Sequence, residues 1–372
     1  MDDEKKWYQV SNADKIDSPA LLVFPYRVKA NITTAINMVG DINRLRSHVK
    51  THKCAEVAAM MIDAGIYKFK CATIAEAEML GMVNAKDVLL AYQPIGPKLK
   101  RFIQLIKKYP ATQYSCLTDN LLSAAEQSDA FNAAGLKVPV YIDLNVGMNR
   151  TGITPGDKAL ELYKYCSSAP GLEIKGLHAY DGHIRNANFD EKKKEVDEAF
   201  SKVETLVEKI KTGNLPTPVI IAGGSPSFSV HCKRPGVECS PGTFIYWDKG
   251  YSTICPEQEF IPAAVLITRV ISLPGNEKIC TDLGHKSVAA ENEITKRIFF
   301  PDFDFLTAVG QSEEHLVLEN KTDHIFKQGD ILYGIPYHIC PTVALYDSIK
   351  IVTDSTCSGK WKNIARDRQI TV

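Results

Sequence analysis

Three places in this sequence could do chemistry. The first is Lys50, inside the run Arg46-Ser47-His48-Val49-Lys50-Thr51-His52-Lys53. It lies in line with an apolar strand, where partial desolvation lowers a lysine's pKa and frees the amine to attack an aldehyde. The plain alternative is a solvated basic loop or an anion site. The second is Ile221-Ala222-Gly223-Gly224-Ser225-Pro226-Ser227. A glycine pair lets backbone N–H groups approach a phosphate closely, although Gly-Gly-Ser alone is more often a turn. A reactive lysine and a phosphate cradle in one chain point to pyridoxal phosphate. The third is His338-Ile339-Cys340, in a stretch read as extended from Tyr337 to Thr342. On a strand, i and i+2 share a face, and imidazole with thiolate is a zinc-leaning pair. Two ligands are too few for a structural site, so water, substrate or another residue must complete it. Taken in isolation the pattern is a coincidence.

Two further polar runs end candidate strands: Asp143-Leu144-Asn145-Val146-Gly147-Met148-Asn149-Arg150-Thr151-Gly152, and His178-Ala179-Tyr180-Asp181-Gly182-His183. Their side chains would face a substrate or cofactor. Asp143 also reads as a hydrogen-bonding residue of a barrel mouth, and either histidine as a loop cap.

The elements that must position these groups alternate regularly. Apolar, β-branched runs begin at Ala20, Leu45, Tyr67, Asp87, Thr112, Val138, Leu172 and Thr217. Between them, 55–64 and 74–80 have helical spacing and stop at Gly65 and Gly81; Pro97 to Lys108 opens on proline. Asn120 to Ala134 closes on Gly135, and Asp190 to Thr212 on Gly213. Strand–helix alternation demands crossover connections and a parallel sheet, and eight units predict a closed (β/α)₈ barrel. An open doubly wound sheet is the competing architecture. Active sites of such barrels lie at the C-terminal strand ends. In this count Lys50 follows strand two and Gly223 strand eight. After Phe260, strand runs are separated by Gly, Pro, Asn and Asp clusters, which predicts an all-β domain. The domains are therefore 15–260, the barrel, and 261–372, with residues 1–14 available to pack on the second.

Composition narrows the class. Of 372 residues, Lys+Arg and Asp+Glu are 44 each, so the net charge is +0 and no basic excess supports nucleic-acid binding. No run approaches the ~20 apolar residues a membrane helix needs, and the N-terminus lacks an apolar signal core. The 10 cysteines are scattered without a Cys-x-x-Cys pair, consistent with reduced thiols in a cytoplasmic protein.

Taken together, Arg46 to Lys53, Asn149 to Gly152, His178 to His183, Gly223 to Pro226, Pro241-Gly242-Thr243 and Tyr337 to Pro341 resemble the D-threonine aldolase / D-serine dehydratase family. These are fold-type III, alanine-racemase-like pyridoxal phosphate enzymes. The resemblance implies an alanine-racemase-like (β/α)₈ barrel, a C-terminal β domain, a homodimer and a small D-amino acid substrate. It also implies that Lys50 carries the cofactor aldehyde, and that Gly223, Gly224, Ser225, Gly242 and Thr243 hold its phosphate. Arg150, His178 and Tyr180 would line the cofactor, and His338 and Cys340 would bind a divalent metal, zinc or manganese.

The chain departs from related racemases in two ways. Ser240 stands where they place an arginine against the pyridine nitrogen, and their catalytic tyrosine has no counterpart. Within the family, His-x-Cys resembles the zinc-dependent D-serine dehydratases, whereas the aldolases tend to carry His-x-Asp. The leading expectation is a lyase of D-β-hydroxy amino acids, with D-serine dehydration ahead of D-threonine cleavage. In dehydration Lys50 would remove the α-proton; in cleavage the β-hydroxyl would lose its proton to a base such as His183. An amino-acid racemase and a non-catalytic pyridoxal phosphate-binding protein are the competing readings.

Overall fold

A computed structural model describes residues 6–275 and 277–372. The chain divides into two compact units. One comprises Thr33–Gly242, Ile254–Gln258 and Ile364–Val372; the other comprises the described residues up to Ile32, Thr243–Thr253 and Glu259–Asn363.

The first strand, β1 (Ala20–Val23), is fully buried but does not belong to the barrel that the alternation assigned it to. It pairs with β10 (Ala264–Ser272) antiparallel and with the strand Ser348–Thr353 parallel. Four consecutive apolar residues suit any strand covered on both faces, so the run itself does not name its sheet. The barrel strands are β2 (Arg46–His48), β3 (Lys68–Cys71), β4 (Asp87–Leu90), β5 (Gln113–Thr118), β6 (Val138–Leu144), β7 (Leu172–Ala179), β8 (Val219–Ala222) and β9 (Val237–Cys239). They pair in chain order, all parallel, and a bridge from Leu45 to Cys239 joins the two ends. The expected (β/α)₈ architecture is present, with its strands numbered differently. Lys50 follows the first barrel strand, Gly223 follows the seventh, and the eighth is the short run Val237-Glu238-Cys239, which periodicity did not single out. The helix begun at Ile74 runs through Gly81 to Met82, because an ordinary helical φ there is compatible with glycine.

Charge locks the N-terminal end of the barrel. Arg46 is 1% exposed; its Nε donates to Glu238 Oε2 at 2.8 Å, and its two terminal nitrogens donate to the Asp87 carboxylate at 2.6 and 2.9 Å. Lys68 bonds the other Glu238 oxygen. One guanidinium thus ties β2 to β4 and β9, across the seam where the barrel closes. Arg46→Ala is expected to lower unfolding stability by about 3–5 kcal/mol, because it leaves the Asp87 carboxylate without its cation and Glu238 with Lys68 alone. Urea denaturation measures this, and a loss under about 1 kcal/mol would mean the carboxylates find water.

The other unit is a nine-stranded sheet built mainly from antiparallel pairs, in which β10 pairs with β1, β11 (Lys278–Thr281) and a further strand over Ile331–Pro336. Its core includes Tyr8, Val10, Ala13, Leu22, Val265 and Ile267. Of the N-terminal segment, residues 1–5 lie outside the described residues. All ten cysteines are free and eight are buried, so they pack as small apolar groups. Among the described residues, no helix is long and apolar enough to cross a membrane.

Candidate active site

Because the eight strands are parallel, the groups that follow them gather at one end of the barrel. Tyr180, just beyond β7, is the centre of a cationic cluster. The Lys50 Nζ lies 5.8 Å from its ring centroid, the Lys70 Nζ 5.6 Å and the Arg150 guanidinium carbon 5.0 Å. Lys50 is half-buried, in a turn whose backbone N–H donates to His48 Nδ1 at 3.3 Å. Burial first, then the charges of Lys50 and Lys70, push the His48 imidazole well below its usual range, so it remains neutral.

Below the ring runs a buried chain of three polar groups. His178 Nδ1 lies 2.7 Å from Asp143 Oδ1, and His178 Nε2 lies 3.3 Å from Lys70 Nζ. An ionised carboxylate only accepts, so His178 donates from Nδ1 and presents a lone pair at Nε2 to the Lys70 amine. Burial raises the Asp143 carboxyl, but the hydrogen bond from His178, the Thr151 hydroxyl and the charge of Lys70 outweigh it, and the pKa falls below the usual value. Burial and the Lys70 charge lower His178. Burial, then the charge of Lys50, lower Lys70 to about 7. The sequence reading missed Lys70. The available signal was Lys68 and Lys70 two apart in the strand run Tyr67 to Cys71, since alternate residues of a barrel strand share its inner face.

Gly223 has φ +75°, a left-handed conformation that suits glycine. At Gly242 a Cβ would sit 2.9 Å from the His48 carbonyl oxygen, so only glycine allows that approach. Ser225 Oγ accepts from the Gly242 N–H at 3.2 Å and joins the two glycine segments. A buried set supports this loop: Ser227 donates to Asp181 at 2.6 Å and His231 Nε2 donates to the same carboxylate at 2.8 Å. Burial raises Asp181, but His231 and Ser227 more than offset it and hold it ionised. Ser240, at the end of β9, is 3% exposed, and its buried hydroxyl oxygen has no hydrogen-bond partner among the described residues. An orphaned hydroxyl is costly unless something else engages it. A cationic cup, a glycine-rich backbone cradle and an unpartnered hydroxyl fit a phosphorylated heteroaromatic aldehyde such as pyridoxal phosphate. Of the groups at this end of the barrel, Lys50 would be the amine to hold its aldehyde.

His183 is exposed and packs over the Gly147 loop, where a Cβ on that glycine would meet its Nε2 at 2.6 Å. Thr243 belongs to the strand-rich unit, and its hydroxyl lies 3.6 Å from Cys340 Sγ.

His338 and Cys340 are not on a strand. His338 caps the helix Ile339–Leu345 and Cys340 lies in its first turn. The correction has a local cause: the Asp248 carboxylate accepts from the Ile339 N–H at 2.9 Å, satisfying a free donor of a helix start that Pro341 also favours. The helix nevertheless brings the pair together, because the two side chains hydrogen-bond. Burial opposes the imidazolium, but Cys340, Asp248 and Glu291 outweigh it and raise His338 to about 9. Glu291 Oε1 lies 2.5 Å from His338 Nδ1, the arrangement by which a carboxylate orients a metal-binding imidazole. Negative potential that favours a proton favours a divalent cation too, and His/Cys suits zinc. Among the described residues no group of three or more His, Cys, Asp or Glu has metal-holding geometry.

Fold and site define a fold-type III barrel of the alanine-racemase class. The chain belongs to the alanine racemase N-terminal-domain family, whose model matches residues 25–249; a serine dehydratase domain model matches 263–352. It is 26% identical over 337 residues to 3-hydroxy-D-aspartate aldolase of Paracoccus denitrificans, covering 87% of this chain and 85% of that protein. The D-threonine aldolase structure from Filomicrobium marinum superposes with a TM-score of 0.88 at 25% identity, over 96% of this chain and 98% of that one. A D-threo-3-hydroxyaspartate dehydratase structure, a cysteine-to-alanine mutant in the metal-free form, shares the fold, with a TM-score of 0.83, 19% identity and 94% and 98% coverage.

Proposed function

We propose that this protein is a pyridoxal phosphate- and divalent-metal-dependent lyase of D-β-hydroxy-α-amino acids, with dehydration of D-serine to pyruvate and ammonia as its preferred reaction. The observation that carries the reading is the Lys50 amine, grouped with Lys70 and Arg150 around one aromatic ring at the barrel end that also holds the glycine cradle. Bound there, the cofactor supplies an electron sink for charge released at the substrate Cα. Lys50 would hold the cofactor through its aldehyde, and its amine, when free, would take the α-proton. Arg150, Tyr180 and a neutral His178 line the cofactor and keep water from it. In the strand-rich unit, His338 and Cys340 hold the divalent ion, which supplies Lewis acidity toward a hydroxyl group. The carboxylate and amine of the substrate suit a cup in which cations outnumber carboxylates.

His-x-Cys and the serine dehydratase domain match favour dehydration. The likeness to 3-hydroxy-D-aspartate aldolase favours a second reading, retro-aldol cleavage, with His183 as an exposed base for the hydroxyl proton. Purified protein loaded with cofactor and zinc decides between them on a D-amino acid panel. Pyruvate and ammonia from D-serine, lost with EDTA and regained with zinc, is the expected result. Glycine and an aldehyde from D-threonine or 3-hydroxy-D-aspartate, with no keto acid, would establish the aldolase. D-to-L conversion without ammonia or aldehyde would overturn both.

A further inference from the structure

Three buried side chains beside the glycine cradle belong to no step of the chemistry above. Asp181 follows Tyr180, Ser227 closes the turn after Gly224, and His231 ends the short helix Phe228–His231. They are 3%, 0% and 2% exposed. Burying an ionised carboxylate is costly unless its oxygens are engaged. Here both are: Ser227 Oγ donates to Asp181 Oδ1 at 2.6 Å, and His231 Nε2 donates to Oδ2 at 2.8 Å. Hydrogen bonds to a charged acceptor are about twice as strong as neutral ones, so the Ser227 hydroxyl is held in one orientation.

The cradle is built on that orientation. With its one proton given to Asp181, Ser227 turns lone pairs toward the glycine segment, and the Gly224 N–H donates to its oxygen at 3.3 Å. Packing is close at both glycines. A Cβ on Gly223 would come 2.7 Å from His231 Cδ2 and 2.8 Å from Ser227 Oγ; a Cβ on Gly224 would come 2.8 Å from Tyr180 Cε2. One glycine therefore lies against the buried network, and the next lies against the ring that Lys50, Lys70 and Arg150 surround. Further along, Gln258 Nε2 donates to the Ser225 carbonyl at 2.7 Å, and Ser225 Oγ accepts from the Gly242 N–H at 3.2 Å.

We propose that Asp181, Ser227 and His231 are positioning residues for the cofactor's phosphate: by fixing Ser227 Oγ they set the Gly223–Ser225 backbone, and through it they make the protein select a phosphorylated aldehyde over its dephosphorylated form. This role rests on the reading of the glycine segments given above and deepens it by naming the groups that hold them in shape. A backbone cradle recognises a phosphate by the directions of its dipoles, and glycines, with their wide conformational freedom, do not keep those directions unaided. Support from a buried network removes part of the ordering cost that binding would otherwise meet. No bond is made or broken by the three residues, so their effect falls on binding.

Equilibrium dialysis of the apoprotein against pyridoxal phosphate and against pyridoxal tests this, because the two ligands share ring and aldehyde and differ in the phosphate. In Ser227→Ala and in Asp181→Asn the preference for the phosphorylated form, taken as the ratio of the two dissociation constants, is expected to shrink by about tenfold or more relative to wild type. Affinity for pyridoxal itself should stay within about threefold of the wild-type value. A merely structural role would weaken both ligands alike and leave the ratio where it was. A wild-type preference for the phosphorylated form that persists undiminished in both variants would overturn the proposal alone; should Ser227→Ala not fold, an unchanged ratio in Asp181→Asn does so equally. Wild-type protein that bound neither ligand, or both equally well, would instead sink the cofactor site on which the proposal rests.

Discussion

Lys50→Ala protein is expected to bind pyridoxal phosphate without the visible absorbance of a cofactor–lysine bond, and to turn over D-β-hydroxy amino acids at least about a thousandfold more slowly. The size follows from two roles lost together. A positioned general base alone contributes about 10²–10⁴-fold, and covalent attachment that orients the cofactor disappears with it. Folding should be almost untouched, because Lys50 is half-buried in a turn and its side chain enters no ion pair among the described residues. Phosphate contacts through the glycine segments remain, so cofactor affinity should weaken rather than vanish. Absorbance spectra, equilibrium dialysis and thermal melting of the same preparation report the three quantities separately. A variant that kept the visible band and wild-type turnover would remove Lys50 from the chemistry.

The second large effect is expected at the metal pair. His338→Ala and Cys340→Ala should each reduce bound zinc from about one per chain to a small fraction, because a site with two protein ligands cannot spare one. Turnover should fall by about a hundredfold or more, the kinetic equivalent of roughly 3 kcal/mol of transition-state stabilisation. Glu291→Gln offers an internal control. Glu291 contacts the imidazole nitrogen opposite the one left for metal, so its loss should cost about 10–100-fold in metal affinity while leaving a site that excess zinc restores. Elemental analysis of dialysed protein checks the stoichiometry, and zinc titration of activity checks the rescue. Alanine variants that retained full zinc and full turnover would falsify the assignment of this pair.

Much of this protein's chemistry is carried by residue types alone. Lysine at the end of an apolar run, two glycines before a serine, and strand–helix alternation over most of the chain are local signals, and local chemistry makes them readable. The (β/α)₈ barrel and the grouping of Lys50, Arg150, His178 and Tyr180 at one end follow from parallel strands alone. The count of strands did not. Ala20–Val23 carries the same apolar signature as a barrel strand, and Val237–Cys239 is too short to carry any, so closure of the barrel was invisible to periodicity.

His338-x-Cys340 shows the same division. Its spacing suits a strand face and a helical first turn alike, and the Asp248 carboxylate on the Ile339 N–H, distant in sequence, selects the helix. Lys70 is the sharper case. In the sequence it is one lysine among many, with Phe69 and Cys71 on either side. Only the barrel's register turns it inward and sets it between His178 and the ring shared with Lys50. The linear chain determined which chemistries were present, because those reside in side-chain types and near-neighbour spacing. Which groups lose their water and feel one another's charge was decided by packing, since desolvation and Coulomb energy depend on distances that only the closed barrel sets.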